Sequence, residues 1–208
     1  IEVAVLDGRK VVAKTNKTGA LKHMSLRLES YDLKVWDIDS PKMYTAKATL
    51  KTPTTTDTYE TRFGVREAVF KRDGFYLNGK KIKLKGANRH ETDPMYGHFV
   101  PMWRHEQDVK QLKEANCNCV RNSHYPQDDY WYYLCDVNGI YLVDEANVES
   151  HGYGYGDQSL SHQPSWEKAT VDRNVSMVKR NFNHPSVVIF AFLNECNSLS
   201  FTLCLTHL

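Results

Sequence analysis

Ionisable and polar side chains recur in this sequence directly after short apolar segments. Four such groups occur along the chain: Asn88 to Glu91, Arg121 to His124, Asp144 to His151, and Asn194 with Glu195. No glycine-rich phosphate loop or nucleophile elbow accompanies them, which argues against nucleotide transfer and serine hydrolase chemistry. Glycoside hydrolysis fits better. It needs a carboxylic acid to protonate the leaving oxygen, a second carboxylate as nucleophile or base, and polar groups for the sugar hydroxyls.

The carboxylates of the third and fourth groups suggest two further roles. Glu149 and His151 are separated by one residue, and with Glu195 they could hold a hard cation such as Mg²⁺, which prefers carboxylate oxygens and retained waters. Asp144 and Glu145 are additional carboxylates. We expect these two to form salt bridges at the strand ends rather than to take part in catalysis.

The apolar segments that precede these groups alternate with helical patterns. Strands are predicted at 82–86, 118–121, 140–143 and 187–192, and helices at 104–116, at 128–138 with Gly139 as the stop, and over a face that carries Val171, Val175, Val178 and Phe182. Alternating strands and helices imply a parallel sheet, either doubly wound or in a barrel. In a (β/α)8 barrel the carboxyl ends of the strands converge on one mouth, which predicts a single active site.

Residues 1 to about 70 have a different rhythm. Residues 45–51 alternate between polar and apolar, and residues 1–6, 11–13, 24–28 and 58–65 are further strand candidates separated by turns. This pattern predicts a small antiparallel β-sandwich. A hairpin follows at 75–84, where Asn78 and Gly79 supply a type I′ turn.

Composition narrows the class of protein. The 208 residues carry 27 Lys and Arg against 25 Asp and Glu, so the net charge of +2 gives no reason to expect a nucleic-acid or membrane-surface partner. No apolar run approaches the ~18 residues that span a bilayer. Because the chain starts at Ile1 within a predicted strand, we expect it to begin inside a longer protein. The five cysteines have no zinc spacing; Cys117 and Cys119 are predicted to pack in the core, and the compartment stays open.

A long motif gives a specific resemblance. Residues 118–126, with Trp131, Tyr132, Asp136 and the segment 139–143 at matching distances, resemble the main signature of family 2 glycoside hydrolases. The segments 88–91 and 144–152 resemble the β-galactosidase branch of that family, whereas its β-glucuronidases lack the Glu-x-His after the third strand. The resemblance implies an immunoglobulin-like β-sandwich over 1–70. The first four β/α units of a (β/α)8 TIM barrel would follow over 71–208, with 196–208 as a divergent tail.

The resemblance also implies roles in catalysis and sugar binding. Glu195 matches the general acid/base of a retaining mechanism, and Asn194 matches a contact of the sugar 2-hydroxyl. His90 and His124 match histidines that contact the sugar or the transition state, and Arg121 would lie beside the nucleophile. The nucleophilic Glu of the family lies near the end of the seventh strand, so we expect it outside this chain and expect the isolated chain to be inactive.

The implied cofactor is Mg²⁺, with Glu149, His151 and Glu195 as ligands. The implied partners are a β-galactoside substrate and, for the complete enzyme, further copies of itself in a homo-oligomer; neither nucleic acid nor a membrane is expected. Two alternatives stay open. One is a β-glucuronidase or β-mannosidase of the same family, and the other is a non-catalytic sugar-binding or subunit-contact fragment.

Overall fold

The structure is a computed structural model that describes residues 1–19, 23–30, 32–153, 157 and 159–196. Its described strands form three sheets. An antiparallel sheet of four strands comes first, a three-stranded antiparallel sheet follows, and a four-stranded parallel sheet with helices is the last of the three. The end of the predicted tail, residues 197–208, lies outside the described residues.

The first sheet has the strand order β2-β1-β3-β4. Its strands are β1 (Glu2–Asp7), β2 (Lys10–Asn16), β3 (Tyr44–Lys51) and β4 (Thr56–Phe63). The strand predicted at 24–28 was wrong, because this segment has no regular secondary structure and no paired neighbour among the described residues. Among the described residues, 2–63 contribute one antiparallel sheet of four strands.

The second sheet contains the predicted hairpin. Strand β5 (Ala68–Lys71) pairs with β6 (Gly74–Leu77), which pairs in turn with β7 (Lys80–Ile82). Asn78 and Gly79 both have positive φ, at 49° and 79°, as the type I′ turn requires. The turn was thus predicted correctly from two residues.

The parallel sheet has the strand order β11-β10-β9-β8, so its strands neighbour one another in chain order. Its elements are β8 (Gly86–Arg89), α1 (Met102–Glu114), β9 (Cys119–Asn122), α2 (Asp129–Asn138), β10 (Tyr141–Glu145), α3 (Glu167–Asn181) and β11 (Val187–Ala191). Asp128 caps α2 by accepting from Tyr130 N at 2.8 Å, and Gly139 ends it in the left-handed conformation. Single-turn 3-10 helices lie between β10 and α3 at His151–Tyr153, Leu160–His162 and Pro164–Trp166.

The first parallel strand lies later in the chain than predicted. We expected it at 82–86, but it covers Gly86–Arg89, because Asn118 holds the preceding residues through its side chain. The Asn118 amide donates to Lys83 O at 3.0 Å and accepts from Lys85 N at 2.7 Å. Pairing with β9 starts at Gly86, where an added Cβ would lie 1.8 Å from the carbonyl oxygen of Cys119.

Two apolar clusters stabilise the parallel sheet from opposite faces. Val120, Leu142 and Val187 pack against Trp131 and other residues of the helices. On the other face, Cys119, Tyr141 and Val188 pack with Trp36, Phe75 and Leu77 from the N-terminal part of the chain. Cys119 is therefore a core thiol as predicted, and burial raises its pKa to about 11.

Cys117 does not share that core. It precedes β9 and is only partly buried, and the four described cysteines, Cys117, Cys119, Cys135 and Cys196, are all free thiols. Among the described residues, no helix is long and apolar enough to cross a membrane.

Candidate active site

The carboxyl ends of the four parallel strands bring together side chains from three of the four predicted groups. Arg121 lies in β9, His124 just after it, Glu145 ends β10, and Asn194 follows β11. The Arg121 guanidinium donates to Glu145 Oε2 at 2.6 Å and to Asn194 Oδ1 at 2.7 Å. Because parallel strands end at one edge of the sheet, residues 73 positions apart are in direct contact.

Glu145 is the centre of this cluster. Its side chain is 0% exposed, and its second oxygen lies 2.6 Å from His124 Nδ1. A buried carboxylate is tolerated only when it is paired, and Arg121 and His124 provide that pairing. The expected salt bridge of Glu145 is thus present, and it fixes the side chains that the sequence placed in the sugar site.

Asp144 behaves differently from its neighbour, and the expectation of a salt bridge was wrong for it. Its partners are neutral: Tyr132 OH donates at 2.5 Å, Asn181 Nδ2 at 2.6 Å and Asn122 Nδ2 at 3.2 Å. Side chains alternate along a strand, so Asp144 points toward the helices while Glu145 points to the other face of the sheet, toward Arg121 and His124. Burial raises the pKa of Asp144.

The two predicted sugar-site histidines are neighbours. The ring centroids of His90 and His124 are 5.3 Å apart in an edge-to-face arrangement. His90 is exposed, whereas His124 is partly buried through its bond with Glu145. The structure therefore brings these residues together from two strands and leaves one imidazole accessible.

Arg89 and Glu91 flank His90 in sequence but do not face the mouth. The Arg89 guanidinium lies 4.1 Å from the Trp131 ring and donates to Asp108 Oδ2 at 2.9 Å. Glu91 accepts from Asp128 N at 3.0 Å, and burial raises the pKa of Glu91. Of the segment 88–91, His90 alone makes ring contacts with His124, while the two charged residues support the packing of α1 and α2.

Glu149, His151, Asn194 and Glu195 form a second, more exposed part of the mouth. Asn194 Nδ2 donates to Glu149 Oε2, and Asn194 N donates to Val148 O at 2.9 Å. His151 Nδ1 lies 2.7 Å from Glu195 Oε2, and His151 N donates to Glu149 Oε1 at 3.1 Å. Asn194 therefore links this part to the Arg121–Glu145 cluster.

The predicted Mg²⁺ ligands can be tested against this geometry. Two carboxylates and an imidazole are a suitable donor set for a cation of this kind. His151 lies against Glu195 and Glu149 accepts from Asn194, and no three His, Cys, Asp or Glu side chains of the described residues converge to hold a metal ion. In this arrangement the three residues do not fit a metal centre.

Comparison with known proteins assigns a family model to each of two consecutive parts of the chain. The family model described as "Glycosyl hydrolases family 2" matches residues 2–66, and the model described as "Glycosyl hydrolases family 2, TIM barrel domain" matches residues 68–205. A beta-galactosidase of Thermoanaerobacterium thermosulfurigenes is 40% identical over 166 residues, which are 79% of this chain and 22% of that protein.

Solved structures of β-glucuronidases have the same fold. One from Parabacteroides merdae superposes with a TM-score of 0.81 at 31% identity, covering 93% of this chain and 25% of that one. One from Ruminococcus gnavus, in complex with C6-substituted uronic isofagomine, gives a TM-score of 0.83 at 25% identity, covering 99% of this chain and 34% of that one. The chain thus spans 22% to 34% of the length of these relatives.

Proposed function

Because the chain belongs to family 2 of the glycosyl hydrolases, we propose that it is part of a β-galactosidase that removes terminal non-reducing β-D-galactosyl residues by a retaining mechanism. The observation that carries this proposal is the 40% identity to a beta-galactosidase over 79% of the chain. The solved β-glucuronidases reach 25% to 31% identity, which favours β-glucuronidase as the second candidate.

We propose further that β8 to β11 are the first four strands of a (β/α)8 barrel and that the N-terminal sheet belongs to an immunoglobulin-like domain. Strands that neighbour one another in chain order are typical of such a barrel. A complete barrel takes about 250 residues, so the remaining strands and the nucleophilic Glu would come from the rest of the complete enzyme.

The proposed chemistry needs two carboxylic groups about 5 to 5.5 Å apart on opposite sides of the scissile bond. Glu195, exposed at the mouth, would give its proton to the leaving oxygen and later take one from the attacking water. The second carboxylate, which we expect in the rest of the complete enzyme, would attack the anomeric carbon and hold the sugar as a covalent glycosyl-enzyme.

The neighbouring side chains would position the sugar. Asn194 accepts from Arg121 and donates to Glu149, so its amide has a fixed orientation for a contact with the 2-hydroxyl. His90 and His124 would contact other sugar oxygens. Arg121 would also favour the ionised form of the nucleophile, because a cation close to a carboxylate lowers the pKa of that carboxylate.

Mg²⁺ remains a prediction for the complete enzyme, and no catalytic step is assigned to it here. Chelation of the complete enzyme tests it: if Glu149, His151 and Glu195 separate to bind Mg²⁺, activity should fall several-fold and return when Mg²⁺ is added back. Activity that is unchanged by chelation across the pH range would exclude the cofactor.

The proposed function is tested by comparing the complete enzyme on matched nitrophenyl β-galactoside, β-glucuronide and β-mannoside. The galactoside should have the highest kcat/KM, and NMR of the first-formed sugar should show the β anomer. A preference for the glucuronide would replace the proposal with the second candidate. No turnover of any glycoside, together with sugar binding, would indicate a non-catalytic module.

A further inference from the structure

One arginine connects the buried carboxylate of Glu145 to Asn194, the residue directly before Glu195. The Arg121 guanidinium donates from Nε to Glu145 Oε2 at 2.6 Å and from Nη2 to Asn194 Oδ1 at 2.7 Å. Arg121 Nη2 also lies 2.6 Å from the same Glu145 oxygen. Because a guanidinium is planar and its donors have fixed directions, the position of Glu145 determines where Nη2 meets Asn194.

Glu145 itself has a fixed position. It is fully buried at the end of β10, where it pairs with Ala191 of the neighbouring strand. Its second oxygen, Oε1, lies 2.6 Å from His124 Nδ1, so each carboxylate oxygen has its own nitrogen partner. A buried carboxylate with two such partners cannot move without leaving a charge unpaired, which is costly.

The Asn194 amide takes its orientation from these contacts. An arginine can only donate, so it selects the amide oxygen, and the amide nitrogen then donates to Glu149 Oε2. An amide oxygen accepts two hydrogen bonds and an amide nitrogen donates two. Among the contacts of the described residues each atom uses one, so each keeps one position for a sugar hydroxyl.

We infer that Glu145 is a positioning residue: through Arg121 it orients Asn194, so the ability of the complete enzyme to distinguish a sugar with a 2-hydroxyl from a 2-deoxy sugar depends on Glu145. The inference rests on the proposed function, from which it takes the contact between Asn194 and the 2-hydroxyl. It adds a buried residue that does not itself touch the sugar.

The test measures kcat/KM of the complete enzyme on nitrophenyl β-galactoside and on its 2-deoxy analogue. The two sugars differ in intrinsic reactivity, but this difference is the same for every variant, so a changed ratio reports the contact with the 2-hydroxyl. Glu145→Met keeps the length of the side chain and removes both acceptor oxygens. It should lower the ratio about tenfold, the effect of one lost hydrogen bond.

Glu145→Gln is the conservative variant and should retain most of the ratio. Its amide oxygen can still accept from Arg121, while its amide nitrogen donates to His124 Nδ1, because a neutral imidazole can carry its proton on either nitrogen. A Gln variant with as low a ratio as the Met variant would overturn positioning by hydrogen bonding.

Asp144→Asn is the matched control. Asp144 is the preceding residue of β10 and is equally buried, but it accepts hydrogen bonds from Tyr132, Asn181 and Asn122. This variant should lower the melting temperature, because an amide cannot accept from all three donors. Its ratio should stay within about twofold of the wild-type value, since none of these donors contacts Asn194 in the described part of the chain.

A double variant tests whether Glu145 acts through Asn194. Asn194→Ala alone should lower the ratio, and adding Glu145→Met to it should lower the ratio by less than a further twofold, because both changes remove the same contact. A second tenfold loss in the double variant would overturn the inference. An unchanged ratio in Asn194→Ala would overturn it as well.

Arg121→Lys tests the same link should Glu145→Met fold poorly. Lysine keeps a positive charge beside Glu145, but its single ammonium lacks the planar fork that fixes Asn194, so the ratio should again fall. An unchanged ratio in every folded variant at these two positions would overturn the inference. If the enzyme cleaves the β-glucuronide and not the galactoside, the proposed function fails, and the same ratio on the glucuronide and its 2-deoxy analogue then decides the role of Glu145.

Discussion

The two ends of the parallel sheet carry similar chemical groups in different surroundings. At the carboxyl end, the buried carboxylate of Glu145 is bound by Arg121 and His124. At the amino end, the buried carboxylate of Asp136 is bound by His184 and Ser186. Each cluster pairs one buried carboxylate with one histidine, so residue types alone do not separate them.

The amino-end cluster is closed by the N-terminal part of the chain. His184 Nδ1 and Ser186 Oγ each lie 2.6 Å from a different oxygen of Asp136. Both partners bind the same carboxylate, which is not the order of a catalytic triad, where the histidine lies between the other two. Trp36, fully buried, donates from Nε1 to Asp136 O at 2.8 Å and covers the cluster.

The carboxyl end differs because its outer members reach the surface. His90, Glu149, His151 and Glu195 are exposed, and they surround the buried Glu145 cluster through Asn194 and His124. The comparison teaches that a buried carboxylate with its partners can serve either to join two parts of a fold or to hold a binding surface. The role depends on whether other parts of the chain cover the cluster or leave its outer residues exposed.

Glu195→Gln in the complete enzyme should give the largest effect. If Glu195 is the proton donor, glycosylation by lactose-like substrates should slow by about 10²- to 10⁴-fold, and by nitrophenyl galactoside far less, because nitrophenolate leaves without a proton. Single-turnover kinetics on both substrates measures this. An equal loss for both would assign Glu195 to binding instead of proton donation.

Asp136→Asn, at the amino end of the sheet, should lower the stability of the protein and leave its catalytic activity unchanged. Loss of the charged hydrogen bonds to His184 and Ser186 should lower the free energy of unfolding by about 1 to 3 kcal/mol. The melting temperature of the complete enzyme reports this loss, and kcat/KM per folded molecule should stay at the wild-type value. Reduced kcat/KM with unchanged melting would show that the amino end takes part in function.

The Ala variants of the two sugar-site histidines should both lose activity but should differ in melting temperature. Both variants should slow hydrolysis, by about 10- to 100-fold if each removes one transition-state contact of 1.4 to 2.8 kcal/mol. His90→Ala should leave the melting temperature nearly unchanged, since His90 is exposed. His124→Ala should also lower it modestly, because the buried Glu145 loses one of its two partners.

A normal rate in both histidine variants, with a lower melting temperature, would make these residues structural and would remove the functional difference between the two ends. The order of the two melting temperatures provides the internal control.

The smallest effect concerns Glu91, which faces the helices. Burial raises the pKa of Glu91 above its ordinary value of 4.5, so the folded state favours the protonated form. This contribution to stability is complete below pH 4.5 and is lost as the pH rises through the folded pKa. Glu91→Gln cannot ionise, so its melting temperature relative to wild type should rise slightly from pH 4.5 to 7; a falling difference would contradict the burial argument.

Local signals in the sequence predicted the fold well. Asp128 and Gly139 fixed both ends of α2, and Asn78 with Gly79 fixed the hairpin, because each acts through its own backbone conformation or a hydrogen bond to a nearby residue. The strand at 82–86 was misplaced for the opposite reason. Asn118, more than 30 positions away, holds that segment through its side chain.

The candidate site was predicted in part. Strand ends placed Arg121, His124 and Asn194 together, because the topology alone brings them to one edge. The sequence did not distinguish Asp144 from Glu145, because this requires knowing from which face of β10 each side chain points. It also did not show that Arg89 packs against Trp131. The Asp136 cluster was missed as well, since its members are 48 to 50 positions apart and no motif joins them.

Gly139 connects two of these features, since it ends α2 and also lies against the N-terminal part of the chain. A Cβ at this position would lie 2.1 Å from the carbonyl oxygen of Ile38, and its φ of +65° disfavours other residues as well. A saturation mutagenesis screen scored on activity would therefore rank Gly139 among the least tolerant positions, beside Glu195. In such a screen, positions at the contact between the two parts of the chain would be as intolerant as positions in the candidate active site. A separate measurement of protein abundance would distinguish loss of folding from loss of catalysis.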